Sequence, residues 1–420
     1  MKKMFVLIDC NNFYVSCERV FDPKLNNIPV AILSNNDGCI VARSNEVKKL
    51  NIPMGAPYFK YKGLLEYNNG KVFSSNYQLY GDMSQRVMDS IKMLLSGEIE
   101  VYSIDEAFIY LDSNNTENLF ELFKEVKEKI YKWVGIPVSI GAGATKTLAK
   151  FANNYAKKNT KEGIFIFETP YKHKEIMKSI SVEDIWGIST RWGRRLKVLG
   201  YCNSYQLCHA DTATIRAYLG VVVTRIVKEL QGISCIELEQ VKPKKNIMSS
   251  KSFGTLLSNI EPIEEALANY VARACEKLRA QKSKAQGIYV FLHTNKFKHY
   301  ESQYSNSSTI GFEYPSSDTG FIIKQAKNLL KKIFREGYKY KKTGIILLDI
   351  IPEKEMQYNL FFNDISNKDY LMKVIDEINQ KFGKKTVFHL AQGITKRWVM
   401  KSEYMTFRYT TCWEELLKIK

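Results

Sequence analysis

Nowhere in the 420 residues does an apolar run approach the roughly 18 consecutive residues that a membrane-spanning helix requires, which argues against a transmembrane protein. Met1-Lys2-Lys3 is followed only by Met4 to Ile8 before Asp9 interrupts the apolar stretch, too little for the core of a secretory signal, so no signal peptide is expected. The eight cysteines (Cys10, Cys17, Cys39, Cys202, Cys208, Cys235, Cys275 and Cys412) contain no C-x-x-C pair and are diluted over a long chain. That spacing fits neither a disulfide framework nor a structural zinc site, and it reads as reduced thiols in a cytoplasm.

What is present is a folding composition with a strong positive bias. Hydrophobic residues make up 45% of the chain, and the length exceeds what one compact core serves, so about three domains are expected. Lys and Arg number 62 against 44 Asp and Glu, a formal charge of +18, which points to a polyanionic partner, with nucleic acid first.

The sharpest local signal is Val101 to Asp112, where Asp105 and Glu106 sit side by side between Glu98–Tyr102 and Phe108–Leu111, two runs that read as strands. Adjacent like charges at the rim of a sheet are costly without a cation between them. A third carboxylate, Asp9, ends the apolar strand Phe5–Ile8, and hard divalent cations favour such oxygen donors. Solvated hairpin acids are the bland alternative for Asp105 and Glu106 alone, and Asp9 at the end of its own strand weighs against it.

Taken in order, the chain turns at Asn11 or Asn12, either of which can cap a helix carrying Phe13, Cys17 and Val20. Pro29–Leu33 and Cys39–Arg43 then read as a hairpin. A short helix near Asn45–Leu50 and the breaker-rich Ile52–Pro57 complete a small lobe too poor in apolar periodicity to form its own core. Leu79, Met83, Val87, Ile91 and Leu94 mark a long amphipathic helix leading into the acidic hairpin; Leu119, Leu122, Phe123, Val126, Ile130 and Trp133 mark a second. A strand at Pro137–Ala142, a helix at Lys146–Ala156 and a strand at Gly163–Phe167 follow. This order is the split βαβ of ferredoxin-like folds, in which Asp9, Asp105 and Glu106 meet at one end of adjacent strands.

Residues 172–240 read as helical. Ile185 to Ser189 with Leu196 and Leu199-Gly200 suggests a helix-hairpin-helix, in which Gly187 lets the backbone approach a phosphate and amides at a following helix N-terminus can bind it. A purely structural helix-turn-helix explains these residues nearly as well. Lys242 to Asn246 is a basic linker. Beyond it lies a second α/β unit with strands at Ser249–Gly254, Gln286–His293 and Ile345–Ile350 and helices at about 264–282 and 319–334. Lys251, Arg273, Lys277, Arg279, Lys282, Lys284, Lys296 and Lys298 are interleaved with it; any one is an ordinary solvated side chain, but together they suit a duplex backbone.

The runs Asp9-Cys10-Asn11-Asn12-Phe13-Tyr14, Ser34 to Cys39, Phe73 to Tyr77, Tyr102 to Phe108 and Thr145 to Lys150 resemble, in order, those of the Y-family translesion DNA polymerases. The similarity runs over nearly the whole chain, through Ser252-Phe253-Gly254 to Trp398–Lys401 and Arg408–Thr411. The resemblance implies an α/β (α+β) right-hand polymerase. Its parts would be a ferredoxin-like palm (1–33 and 78–170), small fingers (34–77), a helical thumb with a helix-hairpin-helix (171–240), a linker (241–247), a separate α/β little finger (248–352) and a C-terminal tail (353–420).

By the same resemblance, Asp9, Asp105 and Glu106, with the Cys10 carbonyl, would hold two Mg²⁺ ions, and no protein nucleophile is needed. Phe13, Tyr14, Arg43, Lys48 and Lys157 would contact the incoming deoxynucleoside triphosphate, Tyr14 as the steric gate against a ribose 2′-hydroxyl. Asn45 stands where many relatives have a phosphate-binding tyrosine, and Lys48 where they have an arginine. Gly187, Ser189, Lys251, Arg273, Lys277 and Lys284 would contact primer–template DNA. Gln357, Leu360 and Phe361 fit a sliding-clamp peptide, and the implied partners extend to UmuD-like and RecA-like proteins. The function implied is error-prone, lesion-bypassing DNA synthesis. Two alternatives stand beside it. A nucleotidyl cyclase shares such a palm but needs neither the basic second α/β unit nor the helix-hairpin-helix; an inactive scaffold of the same family would be expected to lose the acidic triplet.

Overall fold

A computed structural model of the chain describes residues 3–112, 118–239, 243–356, 365–395 and 398–417. They form two units, one of Met1–Ser34, Gly38–Gln240 and Tyr404–Lys420, the other of Asn35–Asp37 and Val241–Glu403.

In the first unit, β1 (Lys3–Cys10) turns through a left-handed Asn12 into α1 (Phe13–Phe21). The small lobe comprises β2 (Val30–Leu33), β3 (Ile40–Arg43), α2 (Asn45–Lys49), α3 (Tyr58–Tyr67) and β4 (Lys71–Ser74). Then follow α4 (Tyr77–Leu94), β5 (Glu98–Val101), β6 (Glu106–Asp112), α5 (Leu119–Val134), β7 (Val138–Gly143), α6 (Lys146–Asn159) and β8 (Ile164–Ile166). The large sheet has the order β5-β6-β1-β7-β8, antiparallel except for the parallel β7–β8 edge. Its first four strands with α4 and α5 are the split βαβ expected.

The central strand is buried on both faces, which is why Phe5 to Ile8 read as an unbroken apolar run instead of alternating. On one face, Val6 and Ile8 pack with Leu79, Met83, Val87 and Ile91 of α4 and Phe123, Val126 and Ile130 of α5. Each such side chain contributes about 1.5–3 kcal/mol when fully buried. On the other face lies α6, held unusually close: a Cβ at Gly141 would meet the Asn153 backbone nitrogen at 2.1 Å, so glycine in β7 sets the distance from α6 to the sheet.

Four details depart from the sequence reading. The small lobe has a core of its own, Ala31, Leu33, Ile40, Val47, Ile52, Ala56 and Leu65. It gains this core from α3 and from β4, which pairs in parallel with β2, neither of which shows clear periodicity. On α5 the buried residue of the last turn is Val134, while Trp133 is exposed. Asn12 occupies the cap position of α1 without capping it; its amide bonds Asn45 and Lys48 instead. The fourth departure lies in the second unit and is the missed strand β11 below.

The first unit continues with α7 (Lys174–Ser179), α8 (Thr190–Val198), α9 (Ser204–Cys208) and α10 (Thr212–Leu230), packed around Met177, Ile185, Leu196, Leu207 and Val227. The second unit is β9 (Ile247–Leu257), α11 (Ile260–Ala280), β10 (Ser283–Thr294), β11 (Ser305–Ser316), α12 (Thr319–Ile333) and β12 (Tyr340–Leu348), with the sheet order β11-β10-β12-β9, followed by α13 (Ile365–Phe382). The edge strand β11 is missed by the sequence reading because its first five residues, Ser305 to Thr309, are all small and polar. No helix among the described residues is long and apolar enough to cross a membrane.

Candidate active site

The β1–β6 ladder places Asp9 opposite Glu106, and the Cys10 amide donates to the Asp105 carbonyl at 2.8 Å. The three acids therefore share one corner of the sheet. Each has its own partner there. Asp9 forms an ion pair with Lys157, Glu106 accepts from Lys150 at 3.1 Å, and Asp105 accepts from the Ser103 hydroxyl at 2.6 Å. Burial raises the carboxyl pKa of Asp9; Lys157 opposes the shift, and Glu106 and Asp105 add to it.

The two lysines lie on the same face of α6, about two turns apart. Lys150 belongs to the motif Thr145–Lys150, yet no role for it is legible without the fold. Its ammonium lies 4.5 Å from the Tyr102 ring centre and 5.3 Å from that of Trp186, an aromatic seat that fixes it beside Glu106. A cleft of about 280 Å³ opens here, lined by Asp9, Glu106, Lys150, Asn154, Lys157 and Trp186.

The donor set fits a hard divalent cation. It consists of carboxylate oxygens and, from Cys10, only a carbonyl, since the thiol is buried in the core with its pKa raised by that burial. Among the described residues no three His, Cys, Asp or Glu side chains converge on one point. Here Lys157 and Lys150 supply the counter-charges to Asp9 and Glu106, while the neutral Ser103 hydroxyl donates to Asp105.

The expected nucleotide contacts gather at the same corner. Lys48 donates to Asn12 at 2.6 Å and to Asn45 at 3.4 Å, and burial depresses its pKa, helped by the nearby charges of Arg43 and Lys157. Arg43 is anchored on the Ile52 carbonyl. Phe13 lies in the core, its ring 5.8 Å from that of Tyr14. Tyr14 is half-buried and stacks on Tyr80 at 4.5 Å, with Tyr77 edge-on to it.

Gly187 has φ +88°, a left-handed turn closed to side chains, and Ser189 caps α8 by accepting from the Trp192 amide. Arg191, Arg194 and Arg195 are exposed on that helix, a basic surface absent from the sequence reading although three arginines within a nine-residue helix could have signalled it. In the second unit Lys251, Arg273 and Lys277 are exposed and close together. Burial, then the charges of Arg273, Lys244 and Lys251, lowers the Lys277 pKa. Lys284 corrects the expectation: it is 3% exposed and bonded to Asp369 of α13 at 2.5 Å, so it is a buried structural cation and not a DNA contact. Arg279 is tied likewise to Asp376. Gln357, Leu360 and Phe361 lie outside the described residues.

A family model described as the impB/mucB/samB family matches residues 8–154, its C-terminal domain matches 244–360, and a domain of unknown function, DUF4113, matches 369–419. The chain is 39% identical to Protein UmuC of Salmonella typhimurium, covering 99% of this chain and 100% of that one. It is 36% identical to Protein MucB of Escherichia coli (98% and 99%) and 25% identical to DNA polymerase IV 1 of Bacillus subtilis (90% and 91%). Among solved structures, a Y-family polymerase chimera of Dbh and Dpo4 superposes with a TM-score of 0.64 at 21% identity, covering 83% of this chain and 99% of the other. An insertion ternary complex of Dbh DNA polymerase gives 0.53 at 22%, with the same coverage.

Proposed function

Because the chain belongs to the impB/mucB/samB family, as a UmuC-like member of the Y-family DNA polymerases, we propose that it adds deoxynucleotides to a primer 3′ end by phosphoryl transfer at Asp9, Asp105 and Glu106. It is a DNA-directed DNA polymerase of the translesion type. The observation that carries the mechanistic reading is the register that puts Asp9 opposite Glu106, with Asp105 beside them and cationic side chains alongside.

Two Mg²⁺ ions held by these carboxylates and the Cys10 carbonyl would supply Lewis-acid stabilisation of the charge that develops on the attacking and leaving oxygens. Lys157 would leave Asp9 for the triphosphate, with Lys48 and Arg43 orienting the same group from the small lobe. Tyr14, stacked on Tyr80, would present its ring to the sugar and exclude a 2′-hydroxyl. Lys150 stays with Glu106, its aromatic seat keeping that carboxylate aimed into the cleft.

We propose a palm, fingers, thumb and little finger for the parts bounded above. The amides after Gly187 with the arginines of α8, and the Lys251, Arg273 and Lys277 patch, would hold duplex phosphates without reading sequence. The Gln357–Phe362 segment would dock on a sliding clamp, and UmuD-like and RecA-like proteins are the further partners proposed, in DNA damage tolerance.

Primer extension on a primed template tests the reading. Templated addition of all four deoxynucleotides with Mg²⁺ is expected. DNA binding with no addition would favour the inactive scaffold, and cyclic nucleotide formation the cyclase.

A further inference from the structure

The last described stretch of the chain, Tyr404 onward, packs on the polymerase body of its own unit. Ser74, at the end of β4, donates its amide to the Tyr404 carbonyl at 3.0 Å, and the Tyr404 amide donates back to the Ser74 hydroxyl at 3.0 Å. Asn76 caps α4 with its side-chain oxygen. Its amide donates to the Thr406 carbonyl, to the Thr406 hydroxyl and to the Phe407 carbonyl, at 3.3, 3.1 and 3.1 Å. Tyr409 stacks on Phe21 of α1 with ring centres 4.6 Å apart.

Between these anchors the tail reaches a buried acid. Glu18 is 2% exposed, and one of its oxygens accepts from both the Tyr80 hydroxyl (2.6 Å) and the Thr406 hydroxyl (3.2 Å). A buried carboxylate with fixed donors holds those donors in turn, because leaving it unpaired would cost far more than the bonds contribute. Tyr80 is thus fixed at its hydroxyl by Glu18, and its ring face carries Tyr14. The contacts form an unbroken line from Thr406 through Glu18 and Tyr80 to Tyr14. Burial pushes the Glu18 carboxyl up to about 7, and the Tyr80 and Thr406 hydroxyls oppose that shift.

We propose that the C-terminal tail is a positioning element for sugar selection: Thr406, through Glu18 and Tyr80, sets the ring of Tyr14 and so sharpens discrimination between deoxyribose and ribose. This rests on the reading of Tyr14 as the sugar gate. None of the described tail residues lines the cleft at Asp9 and Glu106; on this proposal the tail fixes one wall of the nucleotide site from behind.

The experiment compares kcat/KM for a deoxynucleoside and the matching ribonucleoside triphosphate on one primer–template, using full-length chains. Thr406→Val removes the hydroxyl while keeping the shape. It should lower the deoxy-to-ribo ratio roughly three- to tenfold, the scale of one net hydrogen bond. Thr406→Ser should retain the wild-type ratio, which loss of general folding would not allow. Tyr80→Phe, which keeps the stacking ring and removes only its bond to Glu18, should lower the ratio independently of any effect on the tail. Adding Thr406→Val to Tyr14→Ala should produce no further change, since the gate is already gone. If Tyr14→Ala relaxes selection while Thr406→Val and Tyr80→Phe leave the ratio untouched, the tail inference is overturned and the gate stands. If Tyr14→Ala itself leaves the ratio unchanged, the gate reading falls first and the tail's role with it.

Discussion

Asp9 and Glu106 face one another across neighbouring antiparallel strands, and each carboxylate is paired with a lysine from one face of the same helix, Lys157 for Asp9 and Lys150 for Glu106. The two pairs differ in kind. Lys150 is enclosed by Tyr102 and Trp186, whereas Lys157 is about one-third exposed. Under the proposed function, that exposure makes Lys157 the cation to exchange a carboxylate for a phosphate.

Replacing Lys157 by Ala should raise KM for the deoxynucleotide about 10- to 100-fold, the scale of a charge-assisted phosphate contact, with a smaller effect on kcat. Steady-state single-nucleotide addition measures both. A loss confined to kcat would place Lys157 with the reacting oxygens instead.

Tyr14→Ala should increase ribonucleotide incorporation relative to deoxyribonucleotide, because the ring is half-buried with one face covered by Tyr80. Competition between the two substrates on one template reads this out. Equal loss with both would mark Tyr14 as a packing residue.

Neutralising Lys251, Arg273 and Lys277 together should weaken duplex binding irrespective of sequence and flatten the plot of log affinity against log salt by about 0.9 for each phosphate no longer neutralised. Lys284→Met should leave that slope unchanged. It should instead lower stability by on the order of 1 kcal/mol, since it strands Asp369, a partly exposed partner for which the cost of a fully buried pair must be discounted. Salt titrations of DNA binding with thermal melts of both variants separate the two effects.

Glu18 gives a pH dependence with a definite sign. Its carboxyl rises from the ordinary 4.5 to about 7 in the folded chain, chiefly through burial. The folded state thus binds more protons between these values, so Glu18's contribution to stability is greatest below about 4.5 and is lost as pH rises through about 7. Glu18→Gln, neutral at every pH, should match the wild type near pH 5 and melt about 2 to 4 °C higher at pH 8. A variant that melts below the wild type at pH 8 would show that the charged form is favoured in place.

Much of this was legible in the sequence because the palm is regular. The buried β1 run, the helical spacing of apolar residues on α4 and α5, and acids placed immediately beside strands all specify the sheet that joins Asp9 to Glu106. The rest depends on residues distant in sequence. Nothing in Lys284 distinguishes it from Lys251 until α13 brings Asp369 to it. The Lys150 seat needs Trp186, which arrives from a different set of helices, and the Thr406–Glu18 bond joins the two ends of the chain. The polar strand β11 and the α3–β4 core escaped because edge strands and small lobes carry little periodicity.

The central claim is that the three acids at the β1–β6 corner perform the chemistry. Its most direct test is single-turnover nucleotide addition with Mg²⁺ by the wild type, Asp105→Asn and Glu106→Gln, with DNA affinity measured on the same preparations. Both variants should lose at least about 10³-fold in rate, as expected when transition-state charge stabilisation is removed, while DNA affinity stays within about twofold. Addition by either variant at a rate near the wild type's would contradict the account.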